Sequence, residues 1–346
     1  MRLVYDTLLV VALTTAASAT EAAGQQARTA SRTRDADIHA ALTMAPSFTP
    51  LYLSLPPDGD ATSDAWIVIA SEESSVSPFS FGLEYSVYSD YIFRGINFSE
   101  FPREGRERLN HQLSVDVGVD LGLLFERDAG SLGSLSFNTW FEWFGAQKKI
   151  DPGAGGQNLQ ETDYSIAWSF DVEPLAATLT LGYVFYSFPN AKVANTQEWT
   201  VAMTHNDAWM WKWLWADNED GVLNPSIFYA MDVVAAPGGG WLVFGISHDW
   251  QVAENLTLTP GIRAAIDHRY IDPILGTGLG SSTRLAYVQY GLNVSYDLSV
   301  AWEIPERNGS WSMAGFLYFN DARGSAEDSG SIHDEFFGGV SIGVSF

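Results

Sequence analysis

From Phe79 to Phe346 the chain falls into segments of about ten residues in which apolar positions alternate with small or polar ones, the period of two that a half-buried β-strand requires. In the clearest case Leu113, Val115, Val117, Val119, Leu121 and Leu123 share one face, and Ser114, Asp116, Gly118, Asp120 and Gly122 the other. A second segment sets Leu135, Phe137, Phe141 and Trp143 against Ser134, Ser136, Asn138 and Glu142. The alternation recurs over 79–96, 164–170, 177–185, 199–203, 227–233, 242–250, 256–266, 286–298, 311–319 and 336–346, which predicts about twelve strands.

The apolar face of such strands could cover a soluble core or lie against lipid, since both arrangements alternate. Three features choose lipid. Large aromatics stand near segment ends, at Phe79, Phe93, Trp143, Phe170, Trp250 and Tyr296, where interfacial girdles would lie. The opposite face is small and polar rather than rich in Lys and Glu. The connections also alternate in length: 97–108, 146–160, 188–196 and 270–283 are long, while 126–133, 171–174 and 251–255 are short. Two connections, 205–224 and 299–310, are long where a short turn is expected. The predicted fold class is therefore all-β, a transmembrane antiparallel up-and-down β-barrel over 79–346 with a strand count of about twelve.

Composition narrows the picture. Aromatics make up 14% and charged residues 17%, and no run of about 18 apolar residues follows the first few dozen positions, which disfavours a multi-span helical protein. The absence of cysteine excludes disulfide frameworks, thiolate zinc sites and a lipoprotein anchor. Asp and Glu number 42 against 18 Lys and Arg, a net charge of −24 that makes nucleic acid an unsuitable partner. At the N-terminus, Arg2, the apolar run from Leu8 to Leu13 and the small residues Ala16 to Ala19 have the form of a secretory signal, assigned to 1–19. Residues 20–78, rich in Ala, Ser, Thr and Pro, follow as a periplasmic leader or a plug threaded into the pore.

The stretch Ser89-Asp90-Tyr91-Ile92-Phe93-Arg94-Gly95-Ile96, followed by Asn97-Phe98-Ser99, resembles the S-D-Y-x-F-R-G-x-S opening signature of the TorF family of bacterial porins. Asn97 and Phe98 stand between the core of the motif and Ser99, a departure from the family spacing. The resemblance implies an outer-membrane barrel with a pore role. The last strand, with Val340, Ile342, Val344 and Phe346 on one face, is similar to the terminal signal of outer-membrane barrels, which implies recognition by the barrel-insertion machinery.

Placing Phe81, Leu83, Tyr85 and Val87 against lipid sends Glu84, Asp90 and Arg94 inward by parity. A charge facing hydrocarbon costs roughly 2–4 kcal/mol at the bilayer midplane, so the lumen is its natural home. Extended to the other strands, parity gives an inward acidic set of Glu84, Asp90, Asp116, Asp120, Glu142, Asp163, Glu198, Asp232, Asp249, Asp267 and Asp297, against the bases Arg94, Arg263 and Arg269. A surplus of carboxylates concentrates cations. The expected function is passive diffusion of small cationic or neutral solutes, with no cofactor and no metal. Bulky inward residues, Tyr88, Trp140, Tyr186 and Tyr287, could instead close the lumen, which keeps a structural or translocator barrel as the alternative.

Two further segments invite functional readings. Trp209, Trp211, Trp213 and Trp215 recur at period two on one face, either as a sugar-stacking platform or, with Trp143, Trp250 and Phe346, as membrane-interface anchors. The following Asp217-Asn218-Glu219-Asp220-Gly221 lacks the ligand spacing of a calcium loop. No G-x-S-x-G, H-E-x-x-H or P-loop occurs, and neighbours in Ser247-His248-Asp249 would point to opposite faces of a strand, so catalysis is not expected.

Overall fold

A computed structural model of the chain describes residues 77–97, 109–128, 130, 132–144, 159–189, 195–214, 221–275, 282–328 and 332–346. The proposed signal and nearly all of the leader lie outside the described residues. The alternating segments form β1 (Phe79–Tyr88), β2 (Asn110–Asp120), β3 (Ser134–Phe144), β4 (Leu159–Val172), β5 (Ala177–Ser187) and β6 (Thr196–His205). They continue as β7 (Ser226–Asp232), β8 (Gly240–Ser247 with Trp250–Ala253), β9 (Leu256–His268), β10 (Thr283–Asp297), β11 (Ser310–Ala322) and β12 (Glu335–Ser345). The ladder of β8 lapses at His248 and Asp249, yet both of its pieces pair with β9 in one register, Ser247 opposite Gly261 and Trp250 opposite Leu258.

Every strand pairs antiparallel with its neighbours in sequence, and β12 returns to β1 through Gly82 opposite Ser345 to Tyr88 opposite Gly339. The twelve strands are thereby closed into a barrel, which removes the free edges of an open sheet. One end of the barrel carries Phe79 and Phe346 and is called here the terminal end; the opposite end carries the loop after β1 and is the loop end.

The outer wall is apolar. Val117, Ile166, Leu181, Val201, Ile246, Ile262 and Ile342 are exposed along its waist. Aromatics gather toward the rims, including Phe79, Trp250 and Phe346 at the terminal end and Trp199 packed on Tyr183 toward the loop end. Trp143 stacks on Phe141 in the same upper band. An aliphatic waist between aromatic girdles, on a closed antiparallel barrel, is the architecture of a bacterial outer-membrane protein.

Inside the wall, glycines make room for rings that lie flat against it. A Cβ on Gly291 would collide with the ring of Tyr318, and one on Gly339 with that of Tyr88.

The two long terminal-end connections have a physical cause. Asp297 ends β10 and caps a helical turn, α2 (Leu298–Ala301), accepting from the Val300 N–H at 3.0 Å; Trp302 follows, exposed, and then Glu303 at φ 51°. The connection after β2 repeats this device, with Asp120 capping α1 (Leu121–Leu124) through the Leu123 N–H, followed by exposed Phe125 and by Glu126 at φ 55°. The sequences Asp120-Leu121-x-x-x-Phe125-Glu126 and Asp297-Leu298-x-x-x-Trp302-Glu303 are one motif used twice. The expected continuation of strands through Leu123 and to Leu298 fails because each Asp side chain offers the backbone a helical N-cap in place of the ladder.

The tryptophan segment is likewise helical, not extended. After β6, Ala208–Trp211 form one short helical turn, so Trp209, Trp211 and Trp213 do not share a face as period two predicts. Trp209 and Trp213 are exposed at the terminal rim, Trp211 turns back to donate from its indole to Asp207 at 2.8 Å, and Trp215 lies outside the described residues. Asp207 also accepts from the backbone N–H groups of Val222, Leu223 and Asn224. Burial alone would raise its pKa, but the bonds from Trp211, Leu223, Val222 and Asn224 outweigh that and hold the carboxyl below its ordinary range. Since the folded value lies below the unfolded one, the stabilisation is complete above about pH 4 and is lost as pH falls through the folded value. Protection against hydrogen exchange at Val222 to Asn224, taken relative to the intrinsic rate at each pH, should therefore fall on acidification below about pH 4, and Asp207→Ala should cost about 1–3 kcal/mol in a denaturant titration at pH 7. Protection unchanged by pH below about 4 in the native protein would refute this account.

Candidate functional site

Beyond Tyr88 the chain leaves the wall. Instead of extending β1 to Ile96 as alternation suggests, it turns into the bore, where Ile92–Phe93 and Ile96–Asn97 pair as a small hairpin around Arg94 and Gly95. Both turn residues have positive φ, 51° and 84°, as a two-residue hairpin turn of the primed type demands. Phe93 is consequently buried inside the barrel and is not part of a lipid-facing girdle. Gly95 meets the turn's demand without a side chain, and a Cβ there would come within 2.7 Å of the Tyr287 ring. An arginine in the left-handed region costs roughly 1–2 kcal/mol, so Arg94 must be held by what its side chain reaches.

What it reaches is Glu198 on β6. Nη2 of Arg94 donates to both carboxylate oxygens, at 2.8 and 2.7 Å. The same carboxylate accepts from the hydroxyls of Tyr186 at 2.8 Å and Tyr270 at 2.5 Å. The guanidinium carbon lies 3.7 Å from the centroid of the Tyr270 ring, 4.6 Å from Phe93 and 5.6 Å from Trp241. Both charged side chains are withdrawn from water, at 4% and 0% exposure, so their Coulomb attraction acts in a medium far less screening than solvent.

The remaining hairpin contacts span the bore. Tyr91 donates to Glu161 on β4 at 2.7 Å and lies against Trp140. Ile92 packs with Tyr318, Phe316 and Phe337 of β11 and β12. Phe93 and Ile96 join Trp241, Tyr270, Ile271 and Ile332 in one apolar cluster. The hairpin thus ties the β4–β6 side of the barrel to the β10–β12 side and lies across the bore near the loop end.

An acidic group flanks it. Register places Glu142 directly opposite Glu161, with Asp163 two residues along the same inner face. All three are buried; Gln112 donates to Glu142 at 3.0 Å, while one oxygen of each carboxylate has no hydrogen-bond partner among the described residues. Carboxyl groups placed directly opposite on neighbouring strands and buried together cannot all ionise without mutual repulsion.

Below the hairpin, toward the terminal end, the inner face is small and polar. Glu84, Asp116, Asn138, Ser165 and Thr200 share it. Glu84 points inward and keeps an exposed side chain, so the lower bore has open space beside it. Asp116 accepts from Ser114 at 3.0 Å and Asn138 at 2.6 Å, and Ser86 donates to Glu84 at 3.1 Å. Across the bore, Arg263 reaches Gln289 at 3.4 Å and lies 5.9 Å from the Tyr318 ring.

Other members of the inward set serve the frame. Asp90 accepts from Asn97 inside the hairpin. Asp232 takes the N–H groups of Val234 and Ala236 and the Thr196 hydroxyl. Asp267 accepts from the N–H groups of Tyr270 and Ile271 and lies 3.2 Å from Arg284. Asp249 accepts from Thr259 at 2.5 Å, and Asp120 and Asp297 cap turns at the rim. Arg269 is exposed at φ 57° in the turn leaving β9, beyond the strand end that parity assumed. Glu161 was legible, since it shares the parity of Asp163 two residues on. Tyr91, Tyr270 and Trp241 gave no sign in the sequence of converging on one point.

Ser247, His248 and Asp249 sit at the lapse in β8. His248 Nδ1 bonds the Val222 carbonyl and Asp249 serves Thr259, so the three side chains form no relay.

No family model and no curated protein matches the chain. Among solved structures it is similar to a KdgM porin in complex with disordered oligogalacturonate, at 8% identity over 77% of this chain and 98% of that one, with a TM-score of 0.37. It is similar also to the outer membrane channel DcaP of Acinetobacter baumannii, at 8% identity over 78% and 96% with a TM-score of 0.33. Outer membrane phospholipase A from Escherichia coli aligns at 13% identity over 77% and 92%, with a TM-score of 0.34.

Removing one partner of a buried ion pair strands the other. Arg94→Ala should cost about 3–5 kcal/mol of unfolding free energy, and Arg94→Ala with Glu198→Gln less than the sum of the two single changes. A denaturant titration of the four proteins in detergent micelles measures this; strict additivity would show that the pair does not act as a unit.

Proposed function

We propose that the protein is a porin-like channel of the bacterial outer membrane that passes small cationic or neutral solutes, and that it belongs with the TorF family of porins whose signature its hairpin carries. The observation that supports this best is the polar lower bore with open space beside Glu84 and with Asp116 on the same wall. Carboxylates in a confined aqueous space attract cations and repel anions. Outer-membrane barrels keep their termini in the periplasm, so the accessible bore faces the periplasm and the hairpin stands on the outer side. In this reading the terminal rim tryptophans anchor the barrel at the lipid headgroups, and the β12 sequence is what the insertion machinery reads.

The hairpin crossing the bore also favours a second reading, a barrel that stays closed and serves structure alone. Planar-bilayer recording under a salt gradient separates the two. Stepwise currents with a cation-selective reversal potential are expected of the native protein, and larger steps from Arg94→Ala, whose hairpin has lost its tie to β6. Glu84→Gln with Asp116→Asn should move the reversal potential toward zero. Silence in every variant would establish the closed barrel, and anion preference would overturn the charge assignment.

A further inference from the structure

The groups that hold Arg94 belong, apart from Phe93, to the barrel and not to the hairpin: Tyr186 on β5, Glu198 on β6, Trp241 on β8 and Tyr270 in the turn after β9. They would remain in place if the hairpin withdrew. What would then face the bore is a fully buried carboxylate, oriented by two tyrosine hydroxyls and bordered by aromatic faces. Carboxylate plus aromatic rings is the chemistry that recognises an organic cation, by a charge-assisted hydrogen bond on one side and cation–π attraction on the others.

We propose that Glu198, Tyr186, Tyr270 and Trp241 form a binding site for small organic cations of the guanidinium or primary-ammonium type, which Arg94 fills from within the chain while the hairpin is seated. The hydrogen bonding sets the class. A single nitrogen, Nη2, makes both bonds to the carboxylate, and Nη1 has no hydrogen-bond partner among the described residues. One cationic donor head therefore suffices, with a flat or alkyl body to lie on the rings. An anionic solute would meet Glu198 with the wrong sign.

Two features make the internal occupant displaceable. The hairpin has only two residues in each strand, and its Arg94 sits in a backbone conformation that opposes seating. With Arg94 withdrawn, Glu198 would be a buried charge without a counterion, a state that strongly favours capture of another cation. Asp163 stands opposite Tyr186 on the neighbouring strand and places a further polar side chain beside the site. Glu84 and Asp116 line the accessible approach from the terminal end. The proposal deepens the channel reading and depends on it only for the route by which a solute arrives.

The test uses the full chain refolded in detergent and methylguanidinium chloride as the probe, with sodium chloride matching the ionic strength. In isothermal titration calorimetry, Arg94→Ala should bind methylguanidinium saturably with a stoichiometry near one, because the truncation empties the cage. Affinity should fall at least about tenfold in the native protein, where Arg94 competes, and again in Arg94→Ala with Glu198→Gln, where the carboxylate is gone; tenfold corresponds to roughly 1.4 kcal/mol. Circular dichroism establishes that each variant is folded. A second arm needs no variant: saturating methylguanidinium should speed hydrogen exchange at the Ile92, Phe93 and Ile96 amides of the native barrel severalfold by competing with Arg94. A folded Arg94→Ala protein without saturable binding, equal binding with and without the Glu198 carboxylate, or unchanged hairpin exchange overturns the proposal. Binding together with silent bilayers would remove the channel reading and leave the site standing; conduction without binding would do the reverse.

Discussion

Hydrocarbon offers a backbone N–H or C=O nothing to bond to, and each such group left unpaired there costs several kcal/mol. A sheet that crosses lipid must therefore close on itself, and the return of β12 to β1 through Gly82–Ser345 and Tyr88–Gly339 is what makes the remaining architecture possible. Closure fixes an inside and an outside for every strand. From that follow the outward aliphatic waist and the inward row of Ser, Thr, Gly and acid side chains. The inward glycines that accept the Tyr88 and Tyr318 rings belong to the same geometry, because a ring pointing into a narrow bore has to lie down somewhere.

Closure creates a second problem, an interior too narrow to be bulk water and too polar to be a dry core. The two halves of the bore resolve it differently. Below, small polar residues bond one another, as Ser169 does with Thr180 and Asn138 with Asp116. Above, the Tyr91–Ile96 hairpin brings aromatic and aliphatic surface inside and a guanidinium to meet Glu198. A buried ion pair of this kind is weak as a source of net stability, since desolvation offsets most of the attraction. Its effect is on register: only one seating of the hairpin brings Arg94 onto Glu198 and Tyr91 onto Glu161 at once.

Most of the barrel was legible because alternation is a strict consequence of strand geometry. Each of the twelve segments marked by alternation corresponds to one observed strand. Legibility failed where a side chain gave the backbone an alternative. Asp120 and Asp297 preserve the apolar rhythm through Leu121, Leu123 and Leu298 while diverting the chain into helical turns, so parity runs on where the strand has stopped. Trp209 to Trp213 keep a spacing of two on a backbone that is not extended. The largest miss is the hairpin. Parity sent Arg94 inward along the wall, whereas it arrives there on a turn with two left-handed residues, of which only Gly95 announces itself. The convergence of Glu198, Tyr186, Trp241 and Tyr270 depends on barrel curvature, which no local pattern encodes.

The hairpin emerges after the first strand, yet its partners come much later in the chain: Glu161 stands 70 residues beyond Tyr91, and Glu198 stands 104 beyond Arg94. Contacts of such separation form late, since a long loop must close before they reward it. The Tyr287 ring that Gly95 touches comes later still. During assembly the segment must therefore wait, exposed, until β4 to β6 and then β10 are in place, and it has to be on the inner side before β12 seals against β1. The order of events in building the barrel is thus constrained by a short segment that is not part of its wall.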